Sequence, residues 1–316
     1  MLPVAATNNP EVSVGPYRII DISDITPELP EQLGTKEKFW FHLDNTLHLF
    51  KIGRPGTGEN WSEKAAAELC KLLGLPCASY ELATWKGKQG VLTPYLFPKD
   101  VHLEHGNELL AEIAPGYPVE KWFRNRDHTL NRIHALLMQE SILPPLNWNS
   151  PDRAIETAFD VFIGYLLLDT WIANQDRHHE NWGLITYQKD TYLSPTFDHA
   201  ASLAFNVSDR EREERLTTRD KRRTVKYYAQ RARSAIYESR TDNKPLHTLN
   251  AFVQAARQRP QAAAVWLDQL RAVEQEDCRL IFNAFPDEYI SSLEKDFALS
   301  LLRHNRERLL NSASAE

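Results

Sequence analysis

Asp176, Asn181 and Asp198 are the residues whose types could support chemistry; the first two share the run Asn174-Gln175-Asp176-Arg177-His178-His179-Glu180-Asn181, and the third lies in Phe197-Asp198-His199. A carboxylate can accept a proton, while an amide oxygen and a second carboxylate suit a hard cation such as magnesium. His178 and His179 add two imidazoles to the same connection. The polar run lies between an apolar segment, Phe159 to Ile172, and an ordered one, Trp182 to Tyr187. Surface loops are often polar, so the clustering defines a candidate site and leaves the reaction open.

Two elements must position these groups. Ile155, Phe159, Phe162 and Leu166 recur at spacings of three and four, which predicts a helix over 154–172 that is central to its lobe. After the loop, Trp182 to Tyr187 and Thr191 to Thr196 have strand character. A hairpin centred on Lys189-Asp190, with Tyr187 opposite Tyr192, would set Asn181 opposite Asp198.

Upstream, Asp44-Asn45 suits a tight turn between Phe39 to Leu43 and Leu47 to Ile52, which sets Lys38 across from Lys51. Gly34-Thr35-Lys36-Glu37-Lys38 leads into the first strand, and glycine-bearing backbone with ammonium groups can face an anion. On these residues alone an ordinary surface hairpin is the simpler account. A helix follows from Trp61 to Leu73, ending at Gly74. Asn60 and Glu63 have the spacing of a capping box, and Glu63 could instead point at the sheet and pair with Lys51. Cys77 to Ala83 and Gly90 to Leu96 are expected strands, and Tyr95-Leu96-Phe97, between Pro94 and Pro98, is an expected connector to a second lobe.

The loop Asp176-Arg177-His178-His179-Glu180-Asn181 and the Phe197-Asp198-His199 segment resemble the catalytic and metal-binding loops of HipA-like serine/threonine kinases. The Asp-Arg-His-x-x-Asn spelling is also similar to that of phosphatidylinositol 3- and 4-kinases. Gly34 to Lys38, Lys51, and Glu63 through Leu73-Gly74-Leu75-Pro76 match further HipA-like motifs in the same order, so the likeness touches most of residues 30 to 205.

The resemblance implies an α+β, bilobed, protein-kinase-like fold with a small β-rich N-lobe and a larger, mainly helical C-lobe. The expected divisions are a flexible tail at 1–16, the N-lobe at 17–98 and the C-lobe at 99–316. ATP and Mg²⁺ are the expected cofactors. Gly34, Thr35, Lys36 and Lys38 would cover the phosphates, Lys51 would hold them with support from Glu63, and Tyr95 and Phe97 complete the candidate cofactor-binding set. Asn181 and Asp198 would bind magnesium. Asp176 would be the base, and His178 would orient the loop or stabilise developing charge.

Three departures bear on substrate and regulation. HipA toxins usually carry an extra N-terminal subdomain that helps bind their antitoxin, whereas this sequence begins close to its nucleotide loop. Many have a regulatory serine three residues before the loop glycine, where Glu31 stands here. Arg177 and His178 follow the lipid-kinase spelling. The expected substrate is a protein hydroxyl, with a toxin-like role and a small antitoxin-like DNA-binding partner as the accompanying expectation.

Composition limits the alternatives. The chain has 316 residues, 42% hydrophobic and 25% charged, which fits an ordinary globular protein and excludes disordered and fibrous classes. A net charge of -6 argues against a surface built wholly for nucleic acid. Three cysteines without a CxxC pair argue against a disulfide framework or a zinc site of that kind. No secretory signal or membrane-spanning run is evident, so a cytoplasmic location is expected.

The stretch Arg215 to Arg233 is predominantly basic and is an activation-segment analogue, a docking surface for an acidic substrate, phosphoprotein or RNA, or a solvated loop and helix face. Leu246 to Ala256, Ala262 to Val273, Cys278 to Phe285 and Ser291 to Leu310 are expected helices, with Trp266, Leu270, Leu293, Phe297 and Leu301 in the core. Other readings are a lipid or small-molecule kinase, a metal-dependent hydrolase using His178, His179, Asp198 and His199, and a non-catalytic ATP-binding module.

Overall fold

The computed structural model describes residues 15–30, 37–97, 101–121 and 123–312. The first half of the chain builds a six-stranded sheet. Its strands are β1 (Ile19–Asp21), β2 (Leu29–Pro30), β3 (Lys38–Leu43), β4 (Thr46–Ile52), β5 (Glu81–Trp85) and β6 (Lys88–Pro94), in the order β1-β5-β6-β4-β3-β2, with helix α1 (Glu59–Leu72) between β4 and β5. Asp44 and Asn45 take φ of 50° and 61°, the left-handed pair that a two-residue hairpin turn requires. The turn fixes the register, with Leu43 opposite Thr46 and Lys38 opposite Lys51.

Alternation gives the sheet two apolar faces. Leu82 and Val91 pack with the core that includes α1, while the adjacent residues Ala83 and Leu92 join Ile22, Phe39, Phe41 and Phe50 on the other side. The α1 helix begins at Glu59 with Gly58 as its N-cap, so Asn60 lies inside the helix and the expected Asn60–Glu63 capping box does not form. Glu59 supplies the early acceptor instead, taking the Arg54 N–H at 2.9 Å. At the other end Gly74, at φ 67°, ends the helix as a left-handed residue. The chain then leaves the sheet briefly: Thr196 N–H donates to the Pro76 carbonyl and Ala78 N–H to that of Thr196, both at 2.9 Å. For this reason the strand expected from Cys77 starts only at Glu81.

The second half is mainly helical. A small sheet of β7 (Leu103–His105), β8 (Ile142–Leu143), β9 (Gly183–Tyr187) and β10 (Asp190–Leu193), in the order β7-β9-β10-β8, sits among α2 (Gly106–Ile113), α3 (Leu130–Leu137) and α4 (Ala158–Trp171). The chain continues through α5 (Asp209–Thr217), α6 (Val225–Gln230), α7 (Thr248–Gln258), α8 (Pro260–Ala272), α9 (Gln275–Asn283) and α10 (Ser292–Ser312). Every residue of α4 is buried, and α7, α8 and α10 pack around it. Its start is fixed by a reciprocal box in which Asp160 N–H donates to Thr157 Oγ1 at 3.1 Å and Thr157 N–H to Asp160 at 2.8 Å. Trp266, Leu270, Phe297 and Leu301 are in the core, whereas Leu293, expected with them, is only half-buried. Among the described residues no helix is long and apolar enough to cross a membrane. The architecture is α+β, with a small β-rich lobe and a larger, mainly helical one.

Candidate active site

The rigid helix α4 delivers the polar loop, and a carboxylate near its C-terminal end organises the loop residues. Asp169, 1% exposed, accepts from Arg177 Nε and Nη2 and from Asn174 Nδ2, each at 2.8 Å. Arg177, fully buried, also donates through Nη1 to the Asn181 carbonyl at 2.8 Å. A charge this deep is tolerable only with a partner and saturated donors, and the bidentate pair provides both. Burial disfavours the guanidinium, but Asp169 outweighs it and holds the Arg177 pKa above its usual value. The loop is thereby closed on itself. Asn181 Nδ2 donates to the Asp176 carbonyl at 2.6 Å, so the amide oxygen of Asn181 is the end turned away from the loop backbone.

His178 stands beside Asp176, with Nε2 at 3.7 Å from Oδ1. The Glu180 N–H donates to its Nδ1 at 3.2 Å, which assigns the ring proton to Nε2, the nitrogen facing Asp176. Burial lowers the His178 pKa, opposed by the charges of Asp198 and Glu180. His179 points the other way, into the core, where the Tyr117 hydroxyl meets its Nδ1 at 2.8 Å. His128 is next to it and accepts the Trp182 indole N–H at 3.1 Å. Burial depresses both rings, His179 to about 4 and His128 to about 3. The loop is also clamped from α2, whose Gly106 and Asn107 N–H groups donate to the Trp182 and His179 carbonyls at 3.0 and 3.1 Å. A Cβ at Gly106 would meet the Trp182 ring at 2.4 Å, so only glycine allows this approach.

The strand register after the loop differs from the expectation. Tyr187 pairs with Asp190 and Leu184 with Leu193, so the turn is Gln188-Lys189, and the proposed Asn181–Asp198 strand pair does not exist. A slip of two keeps every side chain on its own face, so alternation in the sequence is blind to it. Asp198 is held in other ways. It takes φ 59°, a left-handed conformation that aspartate tolerates better than most residues. Its N–H donates to the Tyr80 hydroxyl at 3.3 Å, and its Oδ1 receives Lys51 Nζ at 3.0 Å.

Lys51 joins the two lobes. Besides Asp198 it reaches Glu63 Oε2 at 3.6 Å and lies over the Tyr80 ring at 5.4 Å. Burial disfavours the ammonium, but Asp198 and Glu63 together keep the Lys51 pKa well above its ordinary value. Glu63, 1% exposed, accepts the His199 N–H at 2.7 Å through its other oxygen. His199 is fully enclosed, with Thr196 Oγ1 at 2.8 Å and Arg177 Nη2 at 3.1 Å from Nε2, and burial with the Arg177 charge drives its pKa well below the usual value. The start of α1 is fastened to the same segment, since Ser62 Oγ donates to the Ser202 carbonyl at 2.9 Å and Gly58 N–H to that of Phe205 at 2.7 Å. Lys38 lies directly across from Lys51, so both ammonium groups occupy one face of the sheet.

The structure thus brings Lys38, Lys51, Glu63, Asp176, His178, Asn181 and Asp198 into one connected region. Gly34, Thr35 and Lys36, with Glu31, lie outside the described residues, as does the expected lobe boundary at 98–99. Tyr95 and Phe97 are on the connector, edge-on to each other at 5.7 Å with Trp40 against Tyr95, and Tyr95 is four residues along the chain from Val91, the strand partner of Lys51. Asn181 and Asp198 offer hard oxygen donors, which suits magnesium completed by phosphate and water oxygens. His179 and His199 are instead held in separate buried networks. Among the described residues no group of three or more His, Cys, Asp or Glu side chains could hold a metal, which removes the ligand set of the hydrolase reading. Asp169 and Tyr80 were not among the candidates. A carboxylate within an apolar helix signals a buried partner and could have exposed Asp169; nothing in the sequence marks Tyr80.

This geometry belongs to a bilobed, kinase-like fold. The chain is a member of the HipA-like C-terminal domain family, which it matches over residues 32–276. It is structurally similar to the Helicobacter pylori proinflammatory kinase CtkA, with a TM-score of 0.73 at 18% identity over 94% of this chain and 97% of that one. HipA of Shewanella oneidensis MR-1, from a toxin–antitoxin system and solved with HipB and operator DNA, aligns with a TM-score of 0.56 at 11% identity over 93% of this chain and 70% of that one. No curated protein matches the sequence.

Proposed function

We propose that the chain is an ATP- and Mg²⁺-dependent kinase of the HipA serine/threonine type that phosphorylates a hydroxyl group on a protein. The observation that carries this reading is the cluster in which Lys51 spans Asp198 at 3.0 Å and Glu63 at 3.6 Å while Asp176 stands on the self-closed loop beside His178. Lys38 lies across from Lys51 on the same face of the sheet, which puts a second cation beside the proposed phosphate position. In this reading Lys51 holds phosphate oxygens, with Glu63 fixing its ammonium. Asn181 and Asp198 hold Mg²⁺, which when bound neutralises charge on the transferring phosphates. Asp176 orients the attacking hydroxyl and accepts its proton, with the Nε2 edge of His178 beside that carboxylate at 3.7 Å. Catalysis rests on positioning and on charge neutralisation.

Gly34, Thr35 and Lys36 are assigned to the phosphate cover, and Tyr95 and Phe97 to the adenine end of the site. The lobe division at residue 98, a cytoplasmic location and a small DNA-binding antitoxin-like partner belong to the same proposal. It is tested by quantitative phosphoproteomics after induction. Serine or threonine sites that rise with the wild type and stay at baseline with Asp176→Asn support it, and equal phosphorylation with both proteins overturns it.

A further inference from the structure

Next to Asp176 lies a cavity that the reaction above does not use. Its volume is about 370 Å³, and it is lined by Gln175, Arg215, Tyr227, Tyr228, Arg231 and Ala232. Gln175 is the residue before the proposed base, and its N–H donates to the Ala201 carbonyl at 3.3 Å, which fixes the wall of the cavity to the segment after Asp198. The opposite wall is α6 and the residues just after it.

Both guanidinium groups are supported from below. The Arg231 guanidinium lies 5.4 Å over the Tyr227 ring and Nη1 is 3.0 Å from the Tyr227 hydroxyl, and the Arg215 guanidinium lies 5.2 Å over the Tyr228 ring. Planar guanidinium groups stacked on aromatic faces are pre-oriented, which favours recognition of a carboxylate by whichever N–H edge is not already engaged. Glu211 already holds Arg215, at 2.7 Å from Nη2. Among the described residues no carboxylate pairs with Arg231.

We propose that this cavity binds a carboxylate side chain of the protein substrate, with Arg231 as the main contact, so that the kinase prefers serine or threonine residues flanked by acidic ones. The inference rests on the kinase reading. The lining of the cavity argues for a single acidic side chain over a nucleic-acid backbone. The cavity presents two tyrosine-backed guanidinium groups, Arg215 already held by Glu211, and its neighbour Arg223 is paired with Glu214 at 2.5 Å, so the geometry matches one carboxylate and not a run of phosphates.

The test uses the full chain and a fluorescein-labelled peptide carrying serine between glutamates, with a lysine-flanked peptide as control. Anisotropy measures binding, and transfer from labelled MgATP to the same peptides is measured in parallel. The acidic peptide is expected to bind roughly tenfold more tightly than the basic one, and the exposed-site substitution Arg231→Glu should remove that preference while MgATP affinity stays unchanged. Equal binding of the two peptides, absence of acidic-peptide binding, or insensitivity to Arg231→Glu overturns the proposal. So does single-stranded RNA binding in place of the acidic peptide with the same Arg231 dependence. Transfer without a charge preference defeats the docking site and spares the kinase reading; charge-selective binding with no transfer does the reverse.

Discussion

Replacing Asp169 by Asn keeps the shape of the side chain and removes the charge opposite a fully buried guanidinium. Arg177 would retain its positive charge with only neutral neighbours, namely the Asn181 carbonyl, His199 and the new amide. Breaking a buried pair by removing one member destabilises by about 3–5 kcal/mol. For a chain of 316 residues, an unfolding entropy of about 2.1 cal/mol/K per residue converts this to a fall of roughly 5–8 °C in Tm. The double variant Asp169→Leu/Arg177→Met removes both charges and should recover at least half of that loss, because the desolvation penalty disappears with them. Activity should not return with stability, since Arg177 is also what closes the loop onto Asn181. Calorimetry on the three proteins, with phosphotransfer measured well below each Tm, separates the two effects. An Asp169→Asn protein that melts within about 1 °C of wild type and transfers phosphate at the wild-type rate would refute the reasoning.

Three further outcomes are expected. Lys51→Met should weaken MgATP binding roughly ten- to a hundredfold by titration calorimetry, the loss of one or two charge-assisted hydrogen bonds, and an unchanged affinity would remove Lys51 from the phosphate site. His128 and His179, held at about 3 and about 4, stay neutral in the folded protein while the unfolded chain protonates near 6.5. Their contribution is therefore complete above about pH 6.5 and declines as pH falls toward 4, at up to about 1.4 kcal/mol per pH unit for each ring. A His128→Gln/His179→Gln protein with an undiminished slope of Tm against pH would contradict this. Gly106→Ala should push on the Trp182 ring, lower stability by about 1–3 kcal/mol and reduce transfer; wild-type melting would show that the α2 clamp relaxes freely.

Legibility in the sequence varied with the physical origin of each feature. The β3–β4 register could be read because two turn-forming residues with no freedom of loop length fix it, and with it the position of Lys38 across from Lys51. The helix α4 could be read because its apolar residues recur at helical spacing. The hairpin after the loop could not, because its turn residues are unspecific and a two-residue slip preserves the pattern. Glu63 was ambiguous for a different reason: a carboxylate three residues after an asparagine is equally a cap and a long-range partner, and the choice depends on where Gly58 and Phe205 dock the helix. The loop histidines could be counted but not sorted. Only packing separates His178, beside Asp176, from His179, which faces Tyr117 and the core.

The most direct test of the central claim is transfer of labelled γ-phosphate from MgATP to the protein itself and to protein acceptors, comparing wild type with Asp176→Asn and Asp198→Ala at matched folding. Wild type is predicted to incorporate phosphate in a magnesium-dependent way. Asp176→Asn should lose roughly 10²–10⁴-fold in transfer with nucleotide binding retained, and Asp198→Ala should lose magnesium-dependent transfer. Undiminished transfer in either variant would contradict the claim.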